Sequence, residues 1–148
     1  MRLPTPSDSQ FVFEMRIPIR WGDMDPMGRV NNTVYFRYLE IARLEWMRSV
    51  RIDGYEQGEG LLMINTYCTF HKQLQFPGDV VVKCYVADVG SSSFYNWATI
   101  ERADEPGVVY ASGGATTVWS DITEKRSKPL PQGRAHLAPA GCSRLPGP

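Results

Sequence analysis

The sequence predicts an α+β fold in which one long helix accompanies a five-stranded antiparallel sheet. Between Asn32 and about Ser49, the residues Tyr35, Tyr38, Leu39, Ala42 and Trp46 recur at three- and four-residue spacing, the apolar stripe of a single helix. Four strand-like segments follow, at about 61–75, 79–89, 93–102 and 107–121, separated by the turn sequences FPGD, VGSS and DEPG. Connections this short join antiparallel neighbours, because parallel strands need long crossovers.

The first element is FVFEMRIPIRW (11–21), which alternates as a strand does, with Pro18 placing it at an edge or near a bend. A loop at 22–30 leads to the helix, where Asn31 or Asn32 is the natural N-cap, its side-chain oxygen accepting an orphan N–H of the first turn. Arg37, Glu40, Arg43, Glu45 and Arg48 fall largely off the apolar stripe, and Arg37/Glu40 and Glu45/Arg48 are spaced to pair. Glycines at 54, 58 and 60 end the helical pattern. In the last strand, Val109, Ala111, Gly113 and Ala115 share one face, and such small residues let a helix lie close. Residues 1–130 read as one domain, and the Pro- and Gly-rich stretch 131–148 as a tail with little structure of its own. One helix cannot cover a five-stranded sheet, so self-association through sheet edges or the helix-free face is expected.

With 148 residues, the chain is long enough for one core. The 16 basic and 16 acidic residues cancel, so no strong field favours nucleic acid or an anionic membrane as partner. No 18-residue apolar stretch exists, and MRLPTPSDSQ at the start lacks the apolar region of a signal peptide. Cys68, Cys84 and Cys142 are an odd set without metal-type spacing, which suits a reducing cytoplasm. In that compartment the sequon Asn31-Asn32-Thr33 is a chance match.

Several chemistries drop out. No G-x-S-x-G is present, and GSSSF reads as a hairpin turn. Cys68 and His71 stand three apart on one strand and point to opposite faces. Metal, phosphate-loop and dinucleotide patterns are missing. Carboxylates remain, and the loop ahead of the helix holds two, Asp23 and Asp25. Pro26 biases Asp25 to an extended backbone, and Gly28 permits positive φ or close approach of a ligand. The helix start offers unpaired N–H groups and a positive dipole end, suited to an anion or to the oxyanion of an attacked carbonyl. An acid beside an oxyanion site fits acyl hydrolysis. The bland alternative is a pair of loop aspartates making turn and capping bonds, and Asp23 stands closer to it.

The stretch RWGDMDPMGRVNNTVYFRYLEIAR (20–43) resembles the signature loop and helix of the hot-dog-fold acyl-CoA thioesterases, specifically the 4-hydroxybenzoyl-CoA thioesterase-like family. The resemblance runs over about 11–130, taking in SSSF and the closing SKPLP. It implies a hot-dog fold, a sheet wrapped around the long helix, with homodimers joined into a larger sheet and often paired into homotetramers. Active sites would lie at the dimer interface. It further implies that Asp25 is the catalytic carboxylate and that the backbone N–H at or next to Asn32 polarises the thioester carbonyl. Gly28 and Arg29 would border the substrate, and Ser92 and Ser93 would lie near the pantetheine or nucleotide. No cofactor is implied beyond the CoA of the substrate. Two departures stand out. Arg29 occupies a position where many relatives carry His, and Gly90-Ser91 replaces a basic pair found before SF in some of them. Cations for the CoA phosphates would then come from Lys125, Arg126 and Lys128, unless these form only a solvated patch.

The expectation is an acyl-CoA thioesterase in which Asp25 acts as nucleophile or as general base for water. The alternatives are a hot-dog hydratase or dehydratase, which would need an Asp–His pair in one loop, and a non-catalytic acyl-thioester binding module. Met63, Tyr67, Phe36 and Trp46 are assigned to the core rather than to an acyl pocket.

Overall fold

The computed structural model describes residues 6, 8–52 and 58–130. Strand β1 (Gln10–Pro18) is followed by a 3-10 turn (Trp21–Asp23) and helix α1 (Asn32–Ser49). Then come β2 (Glu59–Phe70), β3 (Asp79–Ala87), β4 (Ser93–Arg102), β5 (Val109–Asp121) and the two-residue β6 (Arg126–Ser127). The sheet is antiparallel throughout, in the order β1-β3-β4-β5-β2, with β6 beside the end of β5. This is the α+β hot-dog arrangement, a sheet about one long helix.

The helix buries the stripe the spacing predicts, Tyr35, Tyr38, Leu39, Ala42 and Trp46, and adds Arg43 and Met47. Beneath it lie Val80, Val82, Cys84 and Val86 of β3, Phe94, Ala98 and Ile100 of β4, and Ala111 and Ala115 of β5. Trp46 sets its ring edge-on to Phe94 at 5.5 Å. Each such large side chain contributes roughly 1.5–3 kcal/mol by leaving water. The small-residue face of β5 has the expected purpose. A Cβ at Gly113 would run into the Tyr67 carbonyl of β2 and come 2.8 Å from the tip of Leu39 (Cδ1), so glycine serves the close pairing with β2 as well as the seating of α1.

Four expectations need correction. The first strand stops at Pro18, not at 21: Ile19 turns its N–H to the Gly78 carbonyl (2.8 Å), and the chain then tightens into the 3-10 turn. Segment 61–75 is a strand only to Phe70, whose partner Ala111 lies near the start of β5, so the ladder runs out. Arg43 faces the interior rather than solvent. Met63 is exposed, not core. The two-residue β6 is an addition that short polar sequence cannot announce. The tail at 131–148, with Cys142 and His136, lies outside the described residues, as does Gly54. Among the described residues no helix is long and apolar enough to cross a membrane.

The two sheet edges differ. On β1, Pro18 and the Arg16–Asp79 ion pair (2.6 Å) blunt the edge. On β2, the described residues pair with β5 alone, and Leu62, Met63, Ile64 and Phe70 are exposed along it. A long apolar edge without proline is a template for a further strand.

Candidate active site

The loop before α1 is built by its own hydrogen bonds. The Asp25 N–H donates to the Arg29 carbonyl (2.6 Å), and Met24 and Val30 form a bridge around them. Within that closure Gly28 N–H returns to the Asp25 carbonyl (3.1 Å), a four-residue turn with Pro26 at its second position. Gly28 sits at φ 80° with open space where a Cβ would be. Its glycine therefore serves the turn's backbone and not a close approach.

The two acids are held differently. Asp23 Oδ2 accepts from the Arg20 N–H (2.9 Å) and the Tyr38 hydroxyl (2.8 Å), and its carbonyl accepts from Asn31 N–H (2.9 Å). It ties the loop to the helix. Burial, reinforced by the bond to Asp23, pushes the Tyr38 phenol well above its ordinary range. Asp25 Oδ1 accepts from the N–H of Met27 (2.8 Å) and of Arg29 (3.2 Å), whereas among the described residues Oδ2 has only the Arg29 Nε at 3.5 Å. The carboxylate is thus fixed through one oxygen while the other keeps lone pairs to spare, and the side chain is 20% exposed.

The N–H groups at the helix start can be counted out. Asn31 is the N-cap, and its own N–H goes to Asp23. Its side-chain oxygen accepts from Thr33 N–H (2.9 Å), and its carbonyl accepts from Val34 N–H (2.9 Å). Among the described residues, the N–H of Asn32 is the one left without an acceptor.

Asp25, Arg29 and Asn32 line a single cleft of about 460 Å³, together with Tyr35, Phe70 and His71. Lys72 and Gln73 complete that wall. Strand β2 delivers these last residues, since it runs antiparallel to the helix and ends beside its start. Tyr35 fastens the segment by donating to the Lys72 carbonyl (3.4 Å) and accepting from Leu74 N–H (3.0 Å). His71 Nε2 and Ser112 Oγ share a hydrogen bond of 2.9 Å. Lys72 Nζ stands 5.1 Å from the centre of the Tyr110 ring. Sequence reasoning passed over His71 and Lys72, because nothing local ties position 71 to position 25. Only the β2–β5 register brings the end of that strand to the helix.

The other candidate residues lie at the opposite end of the same subunit. Gly90 N–H donates to the Ser93 carbonyl (2.7 Å), so GSSS forms the hairpin turn that its composition predicts. The Ser92 carbonyl accepts from Trp119 N–H (2.7 Å), and Lys128 N–H reaches the Trp119 carbonyl (2.8 Å). Ser92 and Ser93 thus neighbour the turn bearing Lys125 and Arg126, near residue 119 of β5, whereas the Asp25 cleft lies near residue 112. The basic cluster is partly spent. Lys128 pairs with Glu59 (2.8 Å) and Asp121 (3.6 Å), and Arg126 with Glu124 (3.5 Å).

The sequence pattern of the thioesterase-like superfamily matches residues 19–137. Among solved structures, a candidate thioesterase from Pseudomonas aeruginosa is 38% identical, with 82% of this chain and 94% of that one covered at a TM-score of 0.78. A candidate acyl-CoA thioesterase from Xanthomonas campestris is 33% identical, covering 80% of this chain and 99% of that one at a TM-score of 0.71. A 1,4-dihydroxy-2-naphthoyl-CoA thioesterase from Synechocystis shares the fold at a TM-score of 0.74, with 18% identity over 81% of this chain and 90% of that one. No curated protein matches the sequence.

Proposed function

Because the chain belongs to the thioesterase-like superfamily and is a thioester hydrolase, we propose that it hydrolyses an acyl-CoA to the free acid and CoA, with Asp25 as the reacting carboxylate. The observation that carries this reading is the pairing in one cleft of a half-satisfied carboxylate and the unsatisfied Asn32 N–H. A thioester carbonyl seated on that N–H would gain a charge-assisted hydrogen bond as its oxygen becomes an oxyanion. The helix dipole adds to the same stabilisation.

Asp25 Oδ2 then serves in one of two ways. As nucleophile it bonds to the carbonyl carbon, the C–S bond breaks, and water cleaves the resulting anhydride. As general base it takes a proton from water while the water oxygen attacks the same carbon. In both routes the leaving group is a thiolate, stable enough to depart without a strong acid. Arg29 holds the Asp25 side chain rather than moving a proton.

The subunit supports a shared site. A two-fold antiparallel pairing of β2 with a second β2, centred near its middle, would set Phe70 of one chain beside Gly60 of the other. The turn holding Ser92, Ser93, Lys125 and Arg126 in one chain would then approach the Asp25 cleft of its partner. Residues far apart within one subunit would meet across the pair, with Lys125 and Arg126 near the CoA phosphates. The assembly proposed is a homodimer, open to pairing into a homotetramer through the helix-free face. The compartment proposed is the cytoplasm, in keeping with the free thiols of Cys68 and Cys84.

The test is release of free thiol from a panel of acyl-CoAs by the purified protein. Saturable release from at least one acyl chain is expected, and a folded protein that releases none contradicts the proposal. Burial pushes the thiols of Cys68 and Cys84 up to about 11 and about 12, so neither competes for a thiol reagent at pH 8.

A further inference from the structure

Farther along α1, on its β2 flank, lies a second cavity of about 320 Å³, lined by Glu40, Arg43, Leu44, Met47, Met63 and Thr117 among others. Two polar side chains in its wall, one of them with its polar atom fully buried, lack a bonding partner among the described residues. Arg43 is 7% exposed, and among the described residues its guanidinium makes no hydrogen bond or ion pair. Thr117 is 3% exposed, and its hydroxyl is buried without a partner. Neighbouring polar groups are already spent: Asn96 donates to the Tyr85 carbonyl (3.0 Å) and Thr66 to the Gly114 carbonyl (3.0 Å). Burial lowers the pKa of Arg43, and Glu40, exposed three residues before it and beyond ion-pair range, offsets this only in part. A largely buried guanidinium without an ion pair, beside an unsatisfied hydroxyl, favours an anionic partner.

The chemistry of that partner follows from the donors. A guanidinium offers five N–H groups and no acceptor, and a threonine hydroxyl can donate one more. A carboxylate accepts from both, and binds a guanidinium in the two-point geometry that makes such pairs strong. The approach is apolar, with Leu44 and Met63 exposed at the mouth. Both cavities border the seam between α1 and β2, Phe70 lining the first and Met63 the second. Asn32 and Arg43 are about 16 Å apart along the helix axis at 1.5 Å per residue. The Arg43 side chain leans back toward the helix start, which leaves roughly 10 Å between a carbonyl on Asn32 and the guanidinium. At about 1.3 Å per bond in an extended chain, that is the length of an acyl group of about eight carbons.

We propose that this cavity receives the far end of the acyl group, and that the preferred substrates are medium-chain acyl thioesters ending in a carboxylate bound by Arg43 and Thr117. This rests on the thioesterase reading and names its substrate class. The experiment compares kcat/KM for octanoyl-CoA, 8-hydroxyoctanoyl-CoA and the monothioester octanedioyl-CoA, in the wild type and in Arg43→Met and Thr117→Val. The wild type should prefer the octanedioyl ester over octanoyl by about ten-fold or more. Arg43→Met should abolish that preference while still hydrolysing octanoyl-CoA, and Thr117→Val, nearly unchanged in shape, should reduce it. Equal rates for all three esters, or a preference that survives Arg43→Met, would overturn the assignment. So would an 8-hydroxyoctanoyl rate matching the octanedioyl rate, or loss of dimer mass in Arg43→Met, which would make Arg43 a subunit contact. Calorimetric titration with free octanedioate and octanoate separates this inference from the activity. Octanedioate binding that Thr117→Val weakens supports the pocket even where no thioester is cleaved, in which case only the thioesterase reading falls. Equal binding of the two acids overturns the pocket.

Discussion

In the loop before α1, Asp23 turns its carboxylate inward onto the Arg20 N–H and the Tyr38 hydroxyl, while Asp25 keeps an oxygen toward the cleft. Losing the inner contact should cost stability and leave the chemistry alone. Tyr38→Phe is expected to lower stability by about 1–2 kcal/mol, the usual cost when a half-buried carboxylate loses a hydroxyl donor, with kcat unchanged. The pH dependence has a definite sign. Burial and the Asp23 bond hold the folded phenol protonated beyond the unfolded value of about 10. Its contribution is complete below that value and is lost as pH rises above it, because the unfolded chain then releases the proton first. Melting curves from pH 8 to 11 should therefore fall more steeply for the wild type than for Tyr38→Phe, and parallel curves would refute the role. The importance of the loop was legible in the sequence, since two acids, Pro26 and Gly28 preceded a helix. Which oxygen of which acid stayed free was not legible, because that depends on a bond from Tyr38, fifteen residues away in sequence.

At the scale of elements, Gly113 is the point where β5 closes on both the β2 backbone at Tyr67 and the tip of Leu39 from α1. Gly113→Val should destabilise the protein by about 1–3 kcal/mol or more, as overpacking does, because backbone as well as Leu39 stands in the way. A melting temperature equal to that of the wild type would refute the close packing of β5 against β2 and α1 at Gly113. The helix, its cap and the small-residue face of β5 were readable, since each rests on local spacing. Arg43 was not, because a charged side chain off an apolar stripe is normally solvated, and its seat against Asn96 of β4 and Gly113 of β5 depends on residues distant in sequence. The extent of β2 was not readable either. Residues 71–75 continue an acceptable strand composition, but their N–H groups are taken elsewhere: His71 and Lys72 donate to the Tyr110 carbonyl and Leu74 to the Tyr35 hydroxyl. That departure delivers His71 to the cleft.

For the molecule as a whole, the apolar edge of β2 is the feature one subunit leaves unfinished. Ile64, at the register shift in β2 and 63% exposed, lies next to the centre of the pairing proposed. Light scattering should return at least twice the chain mass of 16.7 kDa, and Ile64→Lys should shift the protein toward that single-chain mass. Activity should fall with it, because the 92–93 and 125–126 residues would no longer reach a partner's cleft. A fully active monomer would contradict the shared site. The two-layer fold and the need for a partner were legible from one helix and five strands, whereas the partition of the site between the two ends of the sheet required the register. The account as a whole turns on Asp25, and the most direct test is the rate of thiol release from the best acyl-CoA by Asp25→Asn, with mass and melting temperature matching the wild type. The expected result is a fall in kcat of about 10²-fold or more, the range for loss of an acid–base group, and a folded Asp25→Asn protein that turns over at nearly the wild-type rate would contradict the mechanism.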